Sequence, residues 1–269
     1  MSGMTITKKP LNVTFTFLAF ADILGYTGLL KKCSNNPIEA NDELNKIYEA
    51  LHEGLEYLKT PDEKGIIKIF TDNLLLKYPN TKKLEDIEAN DCIELFELLS
   101  YYQLSLALKG YFVRGAVAVG YTYVDEEIAF GYPIVEAHNL ESETAINPRI
   151  IISTKVYKLV RFFADHWTTK GDVYTHFLLK DKDGHYFINY LAILYYNRDE
   201  TNLPKVLEYL KSHKTNVEKE LKSPHSYDVI SKYEWVANYH DFFCQTYYPE
   251  DETLLINYEN KSEFEFFRI

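Results

Sequence analysis

Cysteine is scarce in this 269-residue chain: Cys33, Cys92 and Cys244 are the only three, and they lie far apart. Their spacing matches neither a zinc site nor a disulfide framework, so a reducing, cytoplasmic setting is expected. Cations are also in deficit, with 29 Lys and Arg against 40 Asp and Glu and a formal net charge of −11. That balance excludes broad electrostatic binding to nucleic acid or to anionic membranes. It leaves room for a local cationic pocket, or for a carboxylate site that binds anions through metal ions. Long apolar runs are missing too: "TFTFLAFADIL" is too short to span a bilayer and contains Asp22, and it is not a secretory signal. Internal repeats and low-complexity segments are absent. Aromatic residues are abundant, with 23 Tyr and 16 Phe. They are expected to fill the core and an interface between subunits.

Periodicity then divides the chain into elements. "VTFTFLAFADIL" is aromatic and β-rich and reads as a buried first strand closed by Gly25. Leu44, Ile47, Leu51, Leu55 and Leu58 recur at helical spacing, and Pro61 and Gly65 act as breakers after them. In "IIKIFTDNLLLKYP" two apolar runs flank Thr71-Asp72-Asn73, which predicts a tight hairpin. A long helix follows, with Cys92, Leu95, Phe96, Leu99, Tyr102 and Leu106 on its apolar face and Gly110 as its C-terminal cap. "YFVRGAVAVGYTYV" reads as a strand, "EIAFG" as its hairpin partner, "YPIVEAHNLESE" as a short helix and "RIIIST" as another strand. Interleaved helices and hairpin strands predict an α+β fold, with an antiparallel or mixed sheet and helices on one face.

Beyond this, "VYKLVRFFADHW" reads as a helix, "VYTHFLLKDKDGHYFINYL" as a hairpin around Asp183-Gly184, and 203–222 and 226–246 as two further helices. "DKDG" is too short for an EF-hand and fits a turn. "KYEWVANYHDFFC" reads as an aromatic packing helix. No linker precedes this part, so residues 156–269 are expected to pack onto a core of residues 1–155.

The chemistry lies where strands end. Asp22 closes the first strand, and a charge there is costly to bury unless it is paired. Asp72 sits in the following hairpin turn. Were that hairpin to pair with the first strand, two carboxylates would share one sheet edge and raise each other's pKa unless a cation lay between them. Hard oxygen ligands of this kind suit Mg²⁺ or Mn²⁺, and two such ions can activate a hydroxyl and hold a triphosphate. After Asp22, "ILGYTG" runs through Gly25 into a helix start whose backbone N–H groups can hold phosphate oxygens. Lys68 points the same way as positions 70 and 72 along its strand and so lies within reach of a base or phosphate. Taken singly, the bland readings are a strand-end cap for Asp22, a turn residue for Asp72, a solvent-facing side chain for Lys68, a structural ion pair for Arg114 and a packed or surface residue for His138.

These residues carry a resemblance. "FADILGYT" resembles the F-x-D-I-x-G-F/Y-T signature of class III nucleotidyl cyclases, the adenylate and guanylate cyclase catalytic domains, and "KIFTD" resembles their K-x-x-G/S-D segment. The interval fits, at 72 − 22 = 50 residues with helix between. "RGAVAVG" and "FGYPIVEAHNLES" are similar to two later motifs of the family, and the likeness spans about residues 13 to 155. It implies a ferredoxin-like, palm-type core and a homodimer with shared active sites. It further implies two ions, Mg²⁺ or Mn²⁺, held by Asp22, Asp72 and the Ile23 carbonyl. Gly25, Tyr26 and Thr27 fall on the phosphate-binding turn, and Lys68 on a base-reading lysine. The implied reaction converts a nucleoside triphosphate to a 3′,5′-cyclic nucleotide and pyrophosphate. Among divergent bacterial members, the pyrimidine cyclases of Pycsar anti-phage systems are similar in function.

The pattern breaks on the short helix. Val135 and Asn139 occupy the positions of the family's transition-state Asn and Arg, and neither supplies a cation. Arg114 or Arg149 would have to replace that Arg. The base-reading acidic position falls near Ile128, beside Glu127, which leaves the base unassigned. Two functions therefore stay open: a metal-dependent cyclase, or an inactive cyclase-like module that binds a nucleotide or a partner.

Overall fold

The computed structural model describes residues 11–33, 37–59, 65–81, 83–166, 176–196, 198–199, 201–258 and 266–268. In chain order the elements are β1 (Thr14–Ile23), α1 (Tyr26–Cys33), α2 (Pro37–Leu58), β2 (Ile66–Phe70), β3 (Asn73–Thr81), α3 (Ala89–Leu108), β4 (Val113–Val124), β5 (Ala129–Phe130), α4 (Tyr132–Asn139), β6 (Ile150–Ile152) and α5 (Thr154–His166). Then follow β7 (Leu178–Lys180), β8 (Tyr186–Ile188), α6 (Ala192–Tyr196), α7 (Leu203–Leu221), α8 (Tyr227–Tyr247) and β9 (Phe267–Arg268). Pro61, Trp167 and residues 173–175 lie outside the described residues.

The fold is α+β, with a mixed, mostly antiparallel sheet. Its strand order is β2-β3-β1-β4-β6-β8-β7-β9, with β5 paired to β4. Within it, β2-β3-β1-β4 is the ferredoxin-like order, all antiparallel, and β6 joins β4 in parallel. Strand β1 is central because its apolar run is two-sided, as a strand buried on both faces requires. Phe17, Ala19, Ala21 and Ile23 face the main core, which also holds Ile47 and Leu58 of α2. Leu18 and Phe20 face the other way, onto Ala118 and onto Ile134 and Ala137 of α4. Helices thus cover both faces, because α4 returns across the β1–β4 pair.

Helix α3 buries the expected stripe: Cys92, Leu95, Phe96, Leu99, Tyr102 and Leu106 are all within 1% of full burial. It ends as expected at Gly110, whose φ is +88°, with the Tyr111 N–H donating to the Leu106 carbonyl (2.9 Å). A partner for this end comes from far along the chain. Asn216 of α7 donates to the carbonyls of Ala107 (2.9 Å) and Leu108 (3.0 Å).

Residues beyond 155 extend the same sheet, with β8 pairing β6 at Ile151↔Phe187. The Asp183-Gly184 turn joins β7 to β8 as expected, and Gly184 takes a φ of +89°. Trp235, Tyr239 and Phe243 of α8 are buried in the core. No helix among the described residues is long and apolar enough to cross a membrane.

Candidate active site

At the C-terminal end of β1, three neighbouring strands bring distant residues together. Asp22 stands opposite Arg114 in the β1–β4 register. Ala21 pairs with Leu74 of β3, which places the β2–β3 turn, and with it Asp72, at the same sheet edge. The turn is tight: Phe70 pairs with Asn73, leaving Thr71 and Asp72 as its two central residues. Thr71 adopts a φ of +59°, the left-handed region that a first hairpin position usually reserves for glycine. A β-branched residue there stores strain, of the kind that gathers at functional sites. Its hydroxyl repays part of that cost by donating to the Asp72 carboxylate (3.0 Å).

Asp72 is largely buried, at 9% exposure. Burial pushes its carboxyl above the usual range, and the charge of Asp22 adds to the rise. The Thr71 hydroxyl and the Ile23 backbone N–H oppose it by donating to the carboxylate. Ile23 thus supports Asp72 through its main chain, while its side chain lies in the core. Tyr26 is near enough that burial, and then the Asp72 charge, raise its phenol. Tyr102 of α3 is buried in the core, and its phenol is raised by burial and then by the charges of Asp72 and Asp22.

Arg114 grips Asp22 with a two-pronged fork: Nε donates to Oδ1 (3.0 Å) and Nη2 to Oδ2 (3.2 Å). Its Nη2 also lies 2.8 Å from Oε1 of Glu141. Burial alone would lower the Arg114 pKa, but the Asp22 hydrogen bond and the surrounding carboxylates raise it on balance. Glu141, which the sequence did not mark as a site residue, is only 3% exposed. It stands in a single π-helical turn, Leu140–Thr144, that continues α4 and swings the side chain inward. Burial first, then the charge of Asp22, push its carboxyl up to about 7, against the pull of Arg114.

The turn after β1 is open. Gly25 has a φ of +79°, and a Cβ placed on it would meet nothing within 4 Å. Tyr26 and Thr27 begin α1, so their N–H groups belong to the unbonded first turn of a helix. Lys68 lies on the same sheet face as Asp22, two strands away by the pairings Lys68↔Leu75 and Leu75↔Phe20. Its charge helps hold Asp125 ionised, after the Tyr123 hydroxyl and the N–H groups of Ile128 and Glu127. Asp125, at the end of β4, is a second residue that the sequence did not single out.

Other candidates fall elsewhere. The Arg149 guanidinium is buried and committed to Asp181 and Asp183 at the β7–β8 turn, with the Trp235 indole N–H donating to Asp181 (2.8 Å). It is a structural ion pair and does not replace the missing arginine. Val135 is 53% exposed, and Asn139 is also exposed on α4. His138 is exposed with its ring against Phe20.

Two aspartates at one edge, one of them desolvated, offer hard carboxylate oxygens of the kind that could hold a divalent ion. Among the described residues no group of three or more His, Cys, Asp or Glu side chains is arranged to hold a metal ion. A divalent ion here would complete its shell from backbone, water or substrate phosphate, as magnesium usually does.

No protein-family profile matches the chain, and no curated protein matches it. A search of solved structures returns a class III adenylyl cyclase-like ATP-binding protein from Pseudomonas aeruginosa, at a TM-score of 0.40 and 14% identity. The alignment covers 54% of this chain, which spans about a third (34%) of the length of that neighbour.

Proposed function

We propose that this chain is a divalent-metal-dependent nucleotide cyclase, converting a nucleoside triphosphate to a 3′,5′-cyclic nucleotide and pyrophosphate. The observation that carries the reading is the meeting of Asp22 and Asp72 at the ends of adjacent strands, with the Ile23 N–H on Asp72. Asp22, Asp72 and the Ile23 carbonyl would hold Mg²⁺ or Mn²⁺. When bound, such ions lower the pKa of a ribose 3′-hydroxyl and neutralise the triphosphate. The chain's own groups do the rest. The N–H groups of the Gly25–Thr27 turn hold phosphate oxygens at the positive end of α1. Lys68, with Asp125 beside it, faces the base across the sheet. The Asp22 and Asp72 carboxylates fix where the α-phosphorus sits relative to the attacking hydroxyl. The active form in this reading is a homodimer with shared sites, as the resemblance to class III cyclases implies.

The second reading, an inactive cyclase-like module, is favoured by one observation. The outer face of α4 offers Val135 and Asn139 where a cation is needed, and removing such a group costs several kcal/mol (roughly 3) of transition-state stabilisation.

One assay separates the two. The protein is incubated with each of the four ribonucleoside triphosphates and Mn²⁺, and cyclic product and pyrophosphate are measured. Turnover of at least one nucleotide is expected, and Asp22→Asn and Asp72→Asn each reduce it by about a thousandfold or more while the circular dichroism spectrum is unchanged. No product from any nucleotide, with wild type equal to Asp22→Asn, would leave the inactive module standing.

A further inference from the structure

If Asp22 serves a metal ion, Arg114 is in the way. Its fork already engages both oxygens of Asp22, at 3.0 and 3.2 Å. A divalent ion bonded to the same carboxylate at about 2 Å would face a full positive charge a few ångströms off, in a half-buried site where water screens poorly. A structural ion pair would need only these two partners, yet a third group stands against it. Glu141 is buried, with Arg114 Nη2 2.8 Å from its Oε1 and His138 Nδ1 3.8 Å from its Oε2. Apart from that ion pair, Oε1 has no hydrogen-bond partner among the described residues. The cluster therefore holds three carboxylates, Asp22, Asp72 and Glu141, and one guanidinium already touching two of them.

We propose that Arg114 is a displaceable counter-ion of the metal site, resting on Asp22 when no divalent ion is bound and held by Glu141 when one is. This rests on the proposed metal-dependent function, and it gives Arg114 and Glu141 positioning roles. The handover needs only a side-chain rotation, because Arg114 Nη2 already touches both acceptors, Asp22 Oδ2 at 3.2 Å and Glu141 Oε1 at 2.8 Å. It keeps Asp22 neutralised and aimed in the empty site, and it makes metal affinity depend on two residues that are not themselves ligands.

The test is a Mn²⁺ titration of the full chain followed by electron paramagnetic resonance of free Mn²⁺, with circular dichroism to check the fold. Arg114→Gln removes the competing cation and is expected to tighten Mn²⁺ binding about tenfold. Glu141→Gln removes the second acceptor and is expected to weaken it about tenfold while Arg114 is present, whereas the double variant is expected to bind within about threefold of Arg114→Gln, because Glu141 acts through Arg114. A folded Arg114→Gln that binds Mn²⁺ no more tightly than wild type overturns the proposal. A wild-type measurement guards against a variant that fails to fold. In protein labelled with ¹⁵N-arginine, the Arg114 Nε–H resonance, assigned by its loss in Arg114→Lys, is expected to shift and saturate on Mg²⁺ addition. A resonance that stays fixed while Mg²⁺ binds overturns the proposal. Asp22→Asn separates this failure from failure of the underlying reading. If Mn²⁺ binding depends on Asp22 but ignores Arg114, only the handover falls. If neither wild type nor Arg114→Gln binds Mn²⁺, both fall.

Discussion

His213 lies fully buried in α7, stacked on His240 with ring centres 5.0 Å apart and planes 8° apart, and its Nε2 shares a hydrogen bond with the Tyr190 hydroxyl (2.7 Å). Burial, and then the neighbouring His240, hold its pKa well below the usual 6.5. The folded state therefore refuses a proton that the unfolded chain accepts. Stability from this residue is complete above pH 6.5 and is lost as pH falls below it, at up to about 1.4 kcal/mol per pH unit. Thermal melting between pH 7.5 and 5.5 is expected to show that loss, and His213→Gln to flatten it; equal slopes in the two proteins would contradict the account. Single residues also show how far the sequence could be read. Asp22, Asp72, Gly25 and Lys68 were singled out in the sequence because their spacing along the chain resembles a signature. Glu141 and Asp125 were not. Their roles come from where a π-helical turn and a strand end aim them, and the contact between Arg114 and Asp22 spans 92 residues.

Two elements set the site's geometry. The β2–β3 turn was legible from Thr71-Asp72-Asn73, but the positive φ at Thr71 was not, since threonine rarely adopts it. At the β1–β4 pair the strands approach so closely at Gly115 that an added Cβ would lie 2.6 Å from the Phe20 carbonyl oxygen and 2.7 Å from the Ala21 Cβ. Both contacts are with the rigid backbone or its first side-chain carbon, so the neighbour cannot swing away. Gly115→Ala is expected to cost about 2 kcal/mol in urea unfolding. Because Arg114 and Asp22 flank this spot, the proposed cyclase function further predicts that the same substitution lowers turnover beyond what the stability loss explains. A variant as stable as wild type would contradict the register. Helix α4 was legible as a helix, but its place on the second face of the sheet was not. That depends on the small surfaces of Ala118 and Ala137, which alternation alone does not assign to a partner.

At the scale of the molecule, the chain order of strands and helices through β6 was readable from periodicity. The continuation of the sheet was not, because β7 and β8 are three residues each and the pairing of β8 with β6 has no local signal. Arg149 shows how tightly the two parts are joined: it precedes β6, yet the carboxylates that neutralise it, Asp181 and Asp183, lie beyond residue 155. A fragment of residues 1–155 would strand that guanidinium and uncover the edge of β6. It is expected to lose its cooperative thermal transition and to bind a hydrophobic dye, whereas a sharp melt near that of the full chain would show that the first 155 residues fold alone.

The central claim is that Asp22 and Asp72 jointly grip divalent cations beside a nucleotide. Anomalous diffraction from crystals grown with Mn²⁺ and a non-reactive nucleoside triphosphate analogue tests it most directly. The account predicts a manganese peak within bonding distance of a carboxylate oxygen from each aspartate, with the triphosphate on the Gly25–Thr27 turn. Manganese found only elsewhere, with Arg114 still forked onto Asp22 and nucleotide present, would contradict it.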